Sequence, residues 1–399
     1  MPNASLDLSH NSIKMRVSIK PELLRWASSR SGISSNILTK RFPNFEQWAQ
    51  GNAQPTLKQL ETFAKAVHVP IGYLFLQEPP VERIPIPDFR SSHNTYIKKP
   101  SPNLLDTIYI CQQRQEWYRE YAIAMGDAPL PFVGSASISD KTEDTAAAIR
   151  QTLQIDLEER QTSHTWSEPR KKLIEQAETA GILMMCNGVV LNNTARRLNP
   201  SEFRGFTLSD RVAPLIFINN ADSQAAQMFT IAHELAHVWL GQSALGDEAM
   251  KAMEQSQTSQ ARIEAWCDAV AIETLAPISI MRKIYRHGSN LGLEIDRIAH
   301  YFKISGLAAL RRIYDLGELS KTGFLQAYEQ EGKKIKAPAT TSGGNFYAAE
   351  GIKTGKRFAQ ALIQSTAEGR TLYRDALNLL GMHKVATFQE FARRMEVSI

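Results

Sequence analysis

No apolar run in this 399-residue chain is long enough to cross a membrane. The longest, Gly181 to Leu191, is interrupted by Asn187 and Gly188 and falls far short of the roughly 20 residues a span needs. An apolar core is also lacking from the N-terminal MPNASLDLSHNS, so no secretory signal is expected. Cysteine is scarce. Cys111, Cys186 and Cys267 are an odd number with no CxxC pair, which fits a reducing compartment rather than a disulfide framework. Gly351, Gly355 and Lys356 in EGIKTGKRF do not have the GxxxxGK-Ser/Thr spacing, so they are not a phosphate loop. No internal repeat is present. These absences lead to the expectation of a cytoplasmic protein with no membrane partner.

What the chain does have is ordinary globular composition, 43% hydrophobic and 22% charged. That excludes disorder as the main state, and the length suffices for two or three domains. The net charge of +5 is unevenly distributed. Residues 1–80 carry nine Lys/Arg against five Asp/Glu, and residues 332–399 carry eleven against five, so the body between them is acidic. A basic head, an acidic body and a basic tail suggest segments with different partners, although solvated faces account for excesses this small equally well.

Residues 19–78 read as a run of short helices. Ile19–Ser29 has Pro21 in its first turn and Leu23, Leu24, Trp26 and Ala27 spaced for a buried face. Ser35–Arg41 is stopped by Pro43; Asn44 is placed to cap Phe45–Ala49, which Gly51 ends. Thr56 caps Leu57–Val67, with Leu60, Phe63, Ala64 and Val67 on one face. Pro79–Pro80 and IPIPDF at 84–89 then read as an extended linker and a domain boundary. Helices are expected over Leu104–Ala124, Thr142–Leu153 and 169–180. The stretch ILMMC–NG–VVL at 182–191 carries a strong hairpin signal. APLIFIN at 213–219 reads as a strand before a long helix, 223–240, closed by Gly241. Further helices are expected at 261–274, 294–303 and 305–315, and TTSGG at 340–344 precedes the basic tail.

The helix 223–240 contains His233-Glu234-Leu235-Ala236-His237. Histidines at i and i+4 lie one turn apart on one face, so both imidazoles reach one metal ion. Glu234 is rotated about 100° from His233 and flanks that face. There its carboxylate can act as general base toward a water made acidic by zinc. Histidines and a carboxylate on so apolar a helix (MFTIAHELAHVWLG) are costly to bury unless ligated or paired. A catalytic zinc needs a third protein ligand, and the candidate is Glu264 in EAWCDAVA. Asp268, four residues on, shares its face and is placed to hydrogen-bond the outer nitrogen of a ligand histidine. Cys267 is the rival ligand. The other histidines, His10, His68, His93, His164, His287, His300 and His383, read as surface or core residues.

EFRGFTLSD (202–210), APLIFIN, FTIAHELAHVWLG (229–241), EAWCDAVAIETLAP (264–277) and YFKISGLAALRRI (301–313) resemble the ImmA/IrrE-type metallo-endopeptidases. The resemblance covers residues 180–315. It implies zinc (Zn2+) held by His233, His237 and Glu264, with Glu234 as general base. It also implies a protein substrate, a helix-turn-helix transcriptional repressor cleaved in a stress or mobile-element response. Trp266 and Ala269–Val270 replace the commoner residues around the third ligand and leave the ligand types intact. WAQGNAQPTLKQLETFAKAVHVPIGYLF resembles the second half of an Xre/Cro-type domain through Trp48, Gly51, Pro55 and Thr56. An N-terminal helix-turn-helix domain joined to such a peptidase is an architecture of the same family.

The expected fold class is α+β and mostly helical. An N-terminal helix-turn-helix-like bundle is followed by a zincin-like core, with a small sheet and the HExxH helix, and by a helical C-terminal region. The expected segments are 1–80, the helix-turn-helix-like domain; 81–135, linker and helix; 136–331, the zinc metallopeptidase domain; and 332–399, the basic helical region. Residues 357–381 (RFAQALIQSTAEGRTLYRDALNLLG) have helical spacing and read as a small helical domain expected to meet a protein partner. Arg204 either orients substrate carbonyls or braces the site, and APLIFIN is either an edge strand for an extended peptide or a core strand. His300 and Tyr301 are candidates for oxyanion stabilisation. An alternative class is a DNA-binding regulator or antitoxin-like docking protein whose peptidase fold is a sensor or scaffold. Intact HELAH with Glu264 favours the enzyme, since a scaffold has no need of a general base.

Lys40, Arg41 and Lys58 can contact phosphates, which positions a protein on DNA without specifying sequence. A recognition helix must offer several polar side chains to base edges, and Pro43 truncates the one here. The module therefore serves either DNA binding or dimerisation and docking, with little sequence-specific DNA affinity expected. Binding to the chain's own promoter DNA should be weak and steeply salt-dependent in titrations across ionic strength. A tight, sequence-selective complex lost on mutating residues 44–49 would reverse that expectation.

Overall fold

The computed structural model describes residues 16–88, 100–163, 165–246, 258–334 and 346–395. His10, His93, His164 and the TTSGG tract lie outside them. The described chain forms two compact units, one of residues 16–83 and 100–105, the other of 84–88 and 106–395.

The N-terminal unit holds α1 (Pro21–Ser31), α2 (Ser35–Arg41), α3 (Phe45–Gln50) and α4 (Leu57–Ala66), then a short 3-10 turn over Ile71–Phe75. Its core is Leu23, Leu24, Leu38, Trp48, Leu60 and Phe63, with Phe45 stacked on Phe63 at 5.4 Å between ring centroids. Thr56 caps α4 through a reciprocal box with Gln59, which satisfies two otherwise orphaned amide donors. Asn44 differs from expectation. It precedes α3, but its side chain makes no cap hydrogen bond. Its backbone (φ −92°, ψ 7°) is not the extended conformation that aims a capping side chain into the first turn. Gly51 ends α3 at φ +81°, a left-handed conformation that glycine adopts without strain.

The second unit is mostly helical around a small mixed sheet. It holds most of α5 (Pro102–Met125), then α6 (Thr142–Leu153), α7 (Leu157–Thr162) and α8 (Ser167–Thr179). Strands β1 (Leu183–Asn187), β2 (Val189–Val190), β3 (Asn193–Arg197), β4 (Gly205–Leu208) and β5 (Leu215–Asn219) follow, then α9 (Gln224–Leu240) and β6 (Ala244–Gly246). Next come α10 (Ser259–Leu275), α11 (Ile278–Ile284), α12 (Leu291–Phe302), α13 (Gly306–Asp315) and α14 (Lys321–Lys334). The last helices are α15 (Phe346–Thr354), α16 (Lys356–Ala367), α17 (Tyr373–Leu380) and α18 (Val385–Arg394).

The main sheet runs β1-β5-β4-β6. β1 is parallel to β5, while β4 is antiparallel to both β5 and β6. This corrects the hairpin expected at 182–191, because β1 does not pair with β2. β2 pairs with β3 in a separate two-stranded ribbon. Asn187 makes the break: its Nδ2 donates to Leu191 O and its Oδ1 accepts from Val189 N, so a side chain shapes the turn. β1 is buried along its whole length, and an unbroken apolar run is the signature of a strand covered on both faces. Met184, Cys186, Ile216 and Ile218 join the core that includes α9 and α10. On the alternate face, Cys111 and Arg114 of α5 touch Met185, as the period-two pleat requires. The C-terminal helices α15 and α16 pack against β1.

The position of β5 decides between the two readings of APLIFIN. β5 is an inner strand between β1 and β4, so of the two alternatives for APLIFIN the core strand is realised. The edge beside β4 belongs to β6.

At the far end of α10, Glu273 is buried against the Arg312 guanidinium. Arg312 Nε donates to Ala276 O at 2.6 Å, and Glu273 accepts from Ile278 N. Arg312 also pairs with Asp315 at 3.2 Å, so Glu273→Ala would remove the more buried of its two carboxylate partners, a loss of about 1.5–3 kcal/mol. Urea unfolding should show the midpoint falling with little change in m, and Glu273→Gln should lose less.

Candidate metal centre

Ser223 opens α9 by accepting from Ala226 N, and Gly241 closes it at φ +68°. Between them almost every side chain is buried, because the sheet covers one side of the helix and α10 the other. His233, Glu234 and His237 are each no more than 1% exposed. Polar groups so placed must be satisfied from within the fold.

His233 and His237 bring their Nε2 atoms to 3.1 Å from one another. Glu264, reaching across from α10, lies 3.3 Å from His233 Nε2 through one oxygen and 3.3 Å from His237 Nε2 through the other. Ligands about 2.0–2.1 Å from a tetrahedral zinc lie about 3.3 Å from each other. The three side chains therefore stand at the mutual spacing of a single ion's coordination sphere, and they fit one.

The outer nitrogens set the tautomers. His233 Nδ1 lies 2.9 Å from Asp268 Oδ1, so that nitrogen carries the proton and Nε2 turns its lone pair toward the cluster. His237 Nδ1 has Cys267 Sγ at 3.7 Å, a soft acceptor for its N–H. Burial pushes the Cys267 thiol well above its ordinary value, so it remains neutral. Burial likewise lowers the His237 pKa, which favours the neutral, ligating imidazole. For Glu264 burial pushes upward, but hydrogen bonds and charge from both imidazoles outweigh it and hold the carboxyl at about 2. Glu264 is thus ionised near neutral pH, and burial favours the neutral imidazole at His237. The metal-compatible group is His233, His237 and Glu264; Cys267 stands behind His237 rather than within it.

Glu234 points elsewhere. Its Oε2 accepts from the Thr207 hydroxyl of β4. A Cβ on Gly205 would meet Thr230 Cγ2 at 2.8 Å and both Glu234 Oε1 and Phe217 O at 3.0 Å, so the absence of a side chain there lets α9 and its carboxylate lie close to β4. Residues 205 and 207 share one face of β4, and together they bracket Glu234. Neither was singled out from sequence. Small Gly205 and polar Thr207, flanking Phe206, are the period-two signal that marks them.

Arg204 pairs with Asp222 at 3.3 Å, tying the start of β4 to the turn that opens α9, a bracing contact. His300 is exposed with Nε2 3.4 Å from Lys303 Nζ, and Tyr301 packs on Phe302. Among the described contacts none joins either residue to the cluster. His287 faces Glu318.

A helix carrying a His/His pair, completed by a glutamate from the next helix, defines a candidate metalloprotein site. Residues 177–314, which hold every member of that site, match the family model of the IrrE N-terminal-like domain. An IrrE/ImmA-like domain is therefore present in this chain. Residues 354–394, covering α16–α18, match a domain of unknown function (DUF8813). Neither match reaches the N-terminal unit. No curated protein matches the chain. No helix among the described residues is long and apolar enough to cross a membrane.

Protein purified without added metal should carry about one equivalent of zinc, read by elemental analysis. His233→Ala/His237→Ala should carry none; unchanged content would place the ion elsewhere.

Proposed function

We propose that this chain is a zinc-dependent endopeptidase whose substrate is a helix-turn-helix transcriptional repressor. In this reading His233, His237 and Glu264 hold the metal, residues 136–331 form the peptidase domain, and the module within 1–80 serves recognition or regulation. The observation that carries the reading is the Glu234 carboxylate, held by Thr207 and given room by Gly205 beside the ligand triad yet outside it. A structural metal site has no use for such a group.

Zinc bound there supplies Lewis acidity toward a peptide carbonyl and toward water. Glu234 accepts a proton from the attacking water at its carboxylate and delivers it to the leaving amine nitrogen. Thr207 donates to Oε2 and restrains the carboxylate's rotation. Asp268 and Cys267 hold the imidazoles in register from behind. The repressor as substrate is supported by the resemblance to ImmA/IrrE-type peptidases and by the IrrE-like domain.

Glu234→Gln keeps size and hydrogen bonding but cannot take the proton. It should bind zinc as wild type does and lose about 10²–10⁴ in cleavage rate, measured on the repressor encoded nearest the gene. Should Glu234→Gln derepress the target gene in cells as well as wild type does, the enzyme reading fails and a sensor or scaffold role replaces it.

A further inference from the structure

The main sheet has two margins. At one, β1 is packed by α15 and α16. At the other, β6 pairs with β4 in a register that sets Ala244 opposite Thr207 and Gly246 opposite Gly205. Those two β4 residues are the ones that bracket Glu234. The outer edge of β6 thus runs beside the candidate site, one strand spacing of about 4.8 Å beyond β4.

An extended peptide joins a sheet edge through its backbone. The donor such a peptide needs here is the Leu245 N–H, and the chain's own linker already uses it. Leu245 N donates to Pro87 O at 2.9 Å, and Asp88 pairs with Leu245 as a parallel bridge. Ile86, just before, is 9% exposed although it lies in a segment with no helix or strand of its own. The sequence Ile84-Pro85-Ile86-Pro87-Asp88 suits this position. Its prolines hold the segment extended and remove two backbone donors, so it takes a hydrogen bond from the edge without templating a further strand.

We propose that residues 84–88 are an intramolecular strap occupying the peptide-binding edge of the metal centre, which an incoming extended substrate displaces. The regulatory consequence rests on the endopeptidase reading; the occupancy of the edge does not. Four residues upstream of Ile86, Glu82 is gripped by Arg30 within the N-terminal unit, so the strap is continuous with a segment anchored in that module.

The test uses the full-length chain with Ile86→Glu, and Ile86→Ala as a milder change, each checked for zinc content and helical circular dichroism. Hydrogen exchange at the Leu245 amide should be at least tenfold faster in Ile86→Glu. In the Glu234→Gln background, a labelled peptide of residues 81–90 should bind at least tenfold more tightly once Ile86→Glu is added, with Ile86→Ala intermediate. With Glu234 intact, Ile86→Glu should cleave the repressor faster than wild type. Unchanged exchange and unchanged peptide affinity in both variants overturn the strap. If peptide binding improves but no protein cleaves, the strap stands and the endopeptidase reading falls. If wild type cleaves in a Glu234-dependent way and neither Ile86 variant alters exchange, binding or rate, the strap falls and the peptidase reading stands.

Discussion

Burying His233, Glu234 and His237 inside an otherwise apolar helix is the constraint on which the rest of the second unit depends. A helix like α9 gains stability by covering its surface with the sheet and α10, yet three of its side chains cannot leave water unaccompanied. Each neighbour supplies part of what they require. From α10 come Glu264 between the imidazoles and Asp268 and Cys267 behind them. From β4 come the Thr207 hydroxyl and the empty space at Gly205. Satisfaction of the buried polar groups and construction of the site are the same set of contacts.

The helices were legible in sequence because their signals are local. The Thr56–Gln59 box, the glycine stops at Gly51 and Gly241, and the 3.6-residue spacing act within a turn or two of the backbone. The pairing of His233 with His237 was legible for the same reason, since i, i+4 spacing is fixed by the helix, whereas Glu264 on the next helix stood as a candidate beside Cys267 until the two helices were seen packed together. Strand pairing was not. Asn187-Gly188 carries a local hairpin signal, but β1 finds its partner in β5, about thirty residues away, because there its apolar side chains are covered on one face by the core around α9 and on the other by α5. Gly205 and Thr207 went unread because their role exists only once β4 lies against α9.

Two-sided burial also explains the reach of the C-terminal region. With α9 and α10 on one face of the sheet, Leu183, Met185, Leu215 and Phe217 need a second cover. Helix α5 supplies part of it, and Arg114 ties α5 onward to α17 by donating to Leu379 O at 2.8 Å. Gly355, at φ +81°, brings the chain so close to β1 that a Cβ would meet Met184 O at 2.6 Å. Just beyond it, the Glu178 carboxylate accepts from Arg357 N at the start of α16. The basic tail is therefore fastened to the sheet that supports the metal centre, despite its separate composition.

Charge makes the last link between fold and chemistry. Glu234, Glu264 and Asp268 bring three carboxyl groups onto one pair of helices, and the groups that hold Glu264 ionised are the two imidazoles. Burial favours the neutral form of His237, and Asp268 orients the His233 ring through Nδ1. A divalent cation is a compact charge that one carboxylate and two imidazole nitrogens at this spacing can accommodate. The 3.1–3.3 Å spacing of the donor atoms is compatible with one such ion. Glu234, bracketed by β4, stands apart from that metal-compatible group because its carboxylate is drawn to the Thr207 hydroxyl on the sheet side of α9.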